Sequence, residues 1–193
     1  NVKVIAVSKT FSMEAIMPLI KYGHLDYGEN KVQEAIIKWT EVKLARPNIK
    51  LHLIGKLQTN KVKFALKLFD YIHSVDTKKL AKKIADEELK QNKQTKIFLQ
   101  VNIGKEEQKS GINKDHLNDF YSYCKYLNLD VVGLMCIPPV DDKSEIFFKE
   151  MALLTKKLDL KELSMGMSSD YIEAAKNSST YLRIGSNIFG KRC

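Results

Sequence analysis

The chain has 193 residues, 44% of them apolar and 28% charged, which excludes a disordered tail or a fibrous repeat and leaves length enough to bury one continuous core. A formal charge of +9 raises the question of a polyanion partner, but Arg46, Arg183 and Arg192 are the only arginines and the other basic residues are lysines dispersed along the chain. That dispersal argues against nucleic acid, and no apolar run approaches the roughly 20 residues of a membrane span.

Short apolar or β-branched runs alternate with longer segments of helical period. Strands are expected over residues 2–7, 25–27, 51–54, 71–74, 96–103, 131–135, 162–165 and 181–184, and helices over 12–22, 31–45, 59–68, 77–89, 113–127, 143–158 and 169–176. Ser12, Thr77 and Asn113 stand where N-cap oxygens are wanted, and Gly23 where a left-handed residue closes a helix. A doubly wound sheet would carry a G-x-G-x-x-G loop after its first strand; here Ser8-Lys9-Thr10 follows instead. The expected fold is therefore α/β, a single (β/α)8 TIM-type barrel filling residues 1–193, lean beside the usual size of about 250 residues. Pro138-Pro139 followed by Asp141-Asp142 reads as a stiff loop and not a domain boundary.

Cys124, Cys136 and Cys193 are odd in number and lack C-x-x-C spacing, which argues against a disulfide framework and a zinc knuckle and fits a reducing, cytoplasmic setting. No signal-peptide pattern opens the chain, and the absent initiator Met reads as trimming. The four histidines, His24, His52, His73 and His116, show no paired spacing, so no metal site is assigned.

In a parallel barrel, chemistry sits at the C-terminal ends of the strands. Lys9 ends the apolar first strand, where desolvation would favour a neutral amine able to condense with an aldehyde; the plain alternative is a lysine snorkelling to solvent. Gly185-Ser186 after the last strand opens a short helix whose bare N–H groups could hold phosphate, or is a simple strand-to-helix turn. Ser168 puts a hydroxyl beside the same place, or caps a helix. Arg183, between Leu182 and Ile184, points inward toward a specific acceptor, with a core ion pair to a glutamate as the alternative. The Tyr27-to-Asn30 and His52-to-Lys61 segments read as polar mouth loops.

Eight ordered motifs carry a resemblance spanning Ala6 to Arg192: AVSKT, GEN-x-VQE from Gly28, H-x-IG-x-LQ-x-NK from His52, SVD from Ser74, QVNI with a later KSGI, GLM, S-M-G-M-S from Ser164, and RIG-x-x-IFG-x-R from Arg183. Together they resemble the pyridoxal-5′-phosphate (PLP) homeostasis protein family, whose barrel is similar to the N-terminal domain of alanine racemase. The resemblance implies that Lys9 forms a Schiff base with PLP, that Gly185, Ser186 and Ser168 hold its phosphate, that Arg183 faces the pyridine nitrogen, and that Asn30 lines the cofactor. The family usually carries a helix before the first strand, which is absent here.

An arginine cannot accept the proton that makes the ring nitrogen a strong electron sink, so the implied activity is carriage or buffering of PLP rather than turnover. Racemases tolerate this arginine and add a second domain bearing a tyrosine acid/base, for which this length leaves no room. The expected partners are PLP and PLP-dependent apo-enzymes, with no nucleic acid and no membrane, and the expected state is a monomer. A single-domain racemase-like enzyme is the alternative; a basic nucleic-acid-binding barrel is the third reading.

Overall fold

Eight parallel strands, each followed by a helix, close on themselves in the order of the chain. The computed structural model describes residues 2–106, 110–139 and 144–190. The strands are β1 (Lys3–Val7), β2 (Asp26–Glu29), β3 (Lys50–Leu53), β4 (Tyr71–Val75), β5 (Lys96–Gln100), β6 (Asp130–Met135), β7 (Glu162–Met167) and β8 (Tyr181–Ile184). The helices are α1 (Met13–Tyr22), α2 (Val32–Ala45), α3 (Val62–Leu68), α4 (Lys78–Gln91), α5 (Leu117–Tyr126), α6 (Ser144–Lys157), α7 (Tyr171–Lys176) and α8 (Ser186–Phe189). The barrel closes between β1 and β8, with Lys3 opposite Tyr181 and Ala6 opposite Ile184. The expected (β/α)8 barrel is thus the fold.

The expected caps do the work asked of them. Ser12 Oγ accepts the Ala15 N–H at 3.4 Å, Thr77 Oγ1 the Leu80 N–H at 3.2 Å, and Gly23 closes α1 at φ 102°. Asn113 caps a short 3₁₀ turn, Lys114–His116, that leads into α5. Residue 143, expected to start the sixth helix, lies outside the described residues, as do Lys109, Asp141, Asp142, Arg192 and Cys193.

Several element ends shift by a few residues from the sequence pattern, and two of the shifts have a visible cause. β5 stops at Gln100 rather than 103 because the Asn102 side chain turns the backbone by bonding both the N–H and the carbonyl of Glu106. β7 runs on to Met167 through Gly166, whose φ of +90° lies where only glycine is at ease; the pairing with β8 slips between Ser164 and Met167.

The apolar residues form two bodies. Ala6, Tyr27, Trp39, Leu51, Ile72 and Leu99 belong to the large layer between sheet and helices. Ile5, Tyr71, Phe98, Met135 and Tyr181 make a small cluster inside the barrel. Buried among the latter rings are polar side chains, and they lead upward to the mouth.

Candidate functional site

A cavity of about 680 Å³ opens at the C-terminal ends of the strands. All six residues singled out as site candidates line it: Lys9, Asn30, Ser168, Arg183, Gly185 and Ser186. The lining also takes in Lys56, and among the described residues no aspartate or glutamate is part of it. Three basic side chains around this hollow make a field that favours an anion.

Lys9 leaves β1 directly after Ser8, and Ser8 is pinned. Its N–H donates to the Gly28 carbonyl at 3.0 Å and its hydroxyl to Glu29 Oε1 at 2.7 Å, while Thr10 takes a left-handed φ of 68° and donates its N–H to Glu34. The half-buried lysine is therefore displayed from a fixed turn. Across the mouth, Ser168 Oγ accepts the Gly185 N–H at 3.3 Å and its carbonyl accepts from the Asn187 amide at 3.1 Å. Neither Ser168 nor Ser169 caps α7; that place is held by Asp170, whose Oδ1 accepts the Met167 N–H at 2.7 Å. Ser168 thus joins the β7 and β8 ends, and Ser186 begins the short α8, whose first N–H groups have no acceptor within the helix.

Arg183 is 4% exposed, and its partners are not a glutamate. Nη1 donates to Ser164 Oγ at 2.7 Å and Nη2 to the Cys136 carbonyl at 2.8 Å, so the core ion pair entertained for it is replaced by two neutral acceptors. Burial pulls the guanidinium below its ordinary pKa. A buried cation whose hydrogen-bond partners among the described residues are neutral oxygens, on a cavity wall, is poised to donate to an electron-rich atom in that cavity.

Sequence reasoning gave no role to Gly55, Gln100 and Ser110, which also line the cavity. Gly55 had a readable signal, a glycine directly after the polar strand end at His52 to Ile54: a Cβ there would stand 2.3 Å from the Asn30 carbonyl oxygen, so only glycine lets the two loops meet. Sequence reasoning also passed over His52 and His73, which the barrel brings to 3.0 Å of one another.

The whole chain, residues 1–193, matches the family model described as alanine racemase, N-terminal domain. It is 37% identical over 200 residues to a pyridoxal phosphate homeostasis protein of Aquifex aeolicus, covering 98% of this chain and 87% of that one. The chain belongs to the pyridoxal phosphate homeostasis protein family. Another homeostasis protein, from Escherichia coli, is 33% identical over 202 residues, covering 100% of this chain and 86% of its own. Among solved structures similar to this homeostasis-family chain is PipY of Synechococcus elongatus PCC7942 at 34% identity. Its form without PLP superposes with a TM-score of 0.91, covering 98% and 93% of the two chains, and its form with PLP bound with 0.90, covering 98% and 92%. An alanine racemase of Clostridium difficile 630, 15% identical at a TM-score of 0.77 over 53% of its length, shares the fold.

Proposed function

We propose that this protein binds pyridoxal phosphate in the mouth cavity and holds it reversibly through Lys9, as a carrier or buffer of the cofactor. The observation that carries the reading is one cavity that brings together Lys9, Arg183, Ser168 and Ser186, with no carboxylate in its lining among the described residues. When bound, the cofactor supplies an aldehyde that condenses with a primary amine and releases water. Lys9, at the end of β1, would supply the amine; Ser168, Ser186 and the Gly185 turn would hold the phosphate, Asn30 would line the ligand, and Lys56 adds to the positive field. The Arg183 guanidinium can only donate, so its N–H groups would keep the ring nitrogen a hydrogen-bond acceptor and not a pyridinium. That choice disfavours carbanion chemistry and suits storage and release.

This reading sets the protein in the cytoplasm, as a monomer that supplies PLP-dependent apo-enzymes. Among the described residues no helix is long and apolar enough to cross a membrane. The match to the alanine racemase N-terminal domain favours one second reading, a single-domain amino-acid racemase-like enzyme.

The deciding experiment adds pyridoxal phosphate to the wild type and to Lys9→Ala, follows the absorption spectrum, reduces with borohydride and maps the labelled peptide. Loss of the band in the variant, with the wild-type label on Lys9, is the expected result. Equal spectra, or label scattered over surface lysines, would sink the proposal. Exchange of an amino acid's α-proton for deuterium by the loaded protein would move the assignment to the racemase-like enzyme.

A further inference from the structure

The barrel interior carries polar side chains that line no part of the cavity yet end on it. Asp26 Oδ1 lies 3.0 Å from His52 Nε2, and His52 Nδ1 lies 3.0 Å from His73 Nε2. His73 Nδ1 lies 2.9 Å from Ser164 Oγ, which accepts from Arg183 Nη1 at 2.7 Å. Asp26 opens β2 at the base of the barrel and is half-buried; both histidines and Ser164 are wholly buried. The His52 ring stacks on Tyr71 and the His73 ring on Phe98, with centroids 4.3 and 4.2 Å apart, so neither imidazole is free to flip. The relay therefore runs from the solvent side of the barrel base to the cavity wall.

Its protons have one consistent arrangement. An ionised carboxylate only accepts, so His52 carries its proton on Nε2 and turns a lone pair at Nδ1 toward His73. His73 must then donate from Nε2, which leaves Nδ1 to accept from the Ser164 hydroxyl. With its hydrogen used, Ser164 presents a lone pair to Arg183. The reverse order would aim an imidazole lone pair at the Asp26 carboxylate and leave the Ser164 hydrogen outside the relay. Burial lowers both histidines, His73 the further because His52 and Arg183 add to the effect, so both are neutral. For Asp26, burial raises the pKa, but the His52 hydrogen bond and the Lys3 ammonium pull it the other way, the net shift is downward, and the carboxyl stays ionised.

We propose that Asp26, His52 and His73 are positioning residues which, by directing every proton of this relay from Arg183 toward Asp26, fix Ser164 as an acceptor and lock the Arg183 guanidinium in one orientation on the cavity wall. What that locked guanidinium does to a bound pyridine ring rests on the pyridoxal phosphate reading above; the locking itself does not.

The test is made on the unloaded protein by ¹⁵N NMR, which is tractable because the chain has only four histidines and three arginines. At pH 7 the expected result is that His52 and His73 are both neutral with the proton on Nε2, and that the Arg183 Nη signals are resolved by slow guanidinium rotation. The charged and titratable groups around the two rings are Lys3, Asp26, Asp70, Tyr71, Tyr181 and Arg183; Asp26 is the carboxylate that bonds an imidazole, while Asp70 is held by Lys43 and the Leu51 N–H. In Asp26→Asn, a conservative change at the half-buried end, an Nδ1–H population is expected at both histidines and the Arg183 signals average. In His73→Phe the averaging should be complete. A proton on Nδ1 or an imidazolium at either wild-type histidine overturns the proposal. So do Arg183 signals that are indifferent to Asp26→Asn and His73→Phe. Adding pyridoxal phosphate to the wild type is scored separately: no binding there removes the functional reading and leaves the relay result standing.

Discussion

The Gly55 backbone touches the Asn30 backbone so closely that a Cβ on residue 55 would lie 2.3 Å from the Asn30 carbonyl oxygen and 2.8 Å from its Cα. The next contact binds the same two loops, since the Ile54 N–H donates to the Glu29 carbonyl at 2.9 Å. Both neighbours of that added carbon are backbone atoms, which cannot swing aside as a flexible side chain would. Gly55→Ala should thus push the β2 and β3 loops apart, costing about 1–3 kcal/mol of stability. Urea unfolding checks the first effect. Weaker pyridoxal phosphate binding at a pH where the variant is folded checks the second, because Asn30 lines the cavity.

Glu29 supports Lys9 from behind the sheet. One of its oxygens accepts from Ser8 Oγ at 2.7 Å, Lys38 Nζ at 2.9 Å and Trp39 Nε1 at 2.9 Å, and the carboxylate is fully buried. Glu29→Ala would strand the buried Trp39 N–H and strip the shortest bond from Ser8 Oγ, while Lys38 keeps the Ser8 carbonyl and Glu34, and should cost about 1–3 kcal/mol. Glu29→Gln keeps an acceptor but drops the charge, so its midpoint in urea should fall between the wild type and the alanine variant. An alanine variant as stable as the wild type would show that the cluster holds nothing together.

The barrel and its mouth were legible because both are written locally. Each strand is a short apolar run, each helix a periodic one, and Lys9, Asn30, Ser168 and Gly185 follow directly on strand ends, where a parallel barrel puts its chemistry. What escaped is written across the closed barrel. His52 and His73 stand 21 residues apart, and His73 and Ser164 stand 91 apart on strands that are not neighbours. Pairing of β3 with β4 brings the two histidines together and the closed barrel brings His73 across to Ser164, so no spacing in the sequence marks them. The partner of Arg183 was hidden for the same reason: residue type called for a carboxylate, and the fold supplied a hydroxyl and a carbonyl.

The buried histidine pair should make the protein acid-labile. Both imidazoles have folded pKa values below the ordinary 6.5, so below that pH the unfolded chain takes up protons that the folded one refuses. Stability from this source is fully present above pH 6.5 and is lost as the pH falls, at up to about 1.4 kcal/mol per pH unit for each histidine. Asp26, held below 3.8, adds to the loss only in still stronger acid. Urea titrations at pH 7.5, 6.5 and 5.5 should show the decline, and His73→Phe should show a shallower one. A pH-independent midpoint over that range in Glu88→Gln, where the buried glutamate no longer titrates in the opposite sense, would mean that the pair titrates alike in both states.

Glu88 acts with the opposite sign. It lies buried near the end of α4, where its Oε1 accepts the Thr95 N–H at 2.7 Å, and burial pushes its carboxyl up to about 7, with Asp130 adding to the effect and Thr95 and Lys93 opposing it. Between about 4.5 and 7 the folded state holds a proton that the unfolded chain releases. Stability from this group is therefore present at low pH, declines as the pH rises through that window, and stays lowered above it. Glu88→Gln keeps an oxygen for the Thr95 N–H and has nothing to ionise. At pH 8 the variant should exceed the wild type by on the order of 1–3 kcal/mol, and the two should converge near pH 4.5. Because the substitution leaves the histidine pair intact, the variant's own stability should still fall below pH 6.5, which separates the two titrations in one pair of unfolding series.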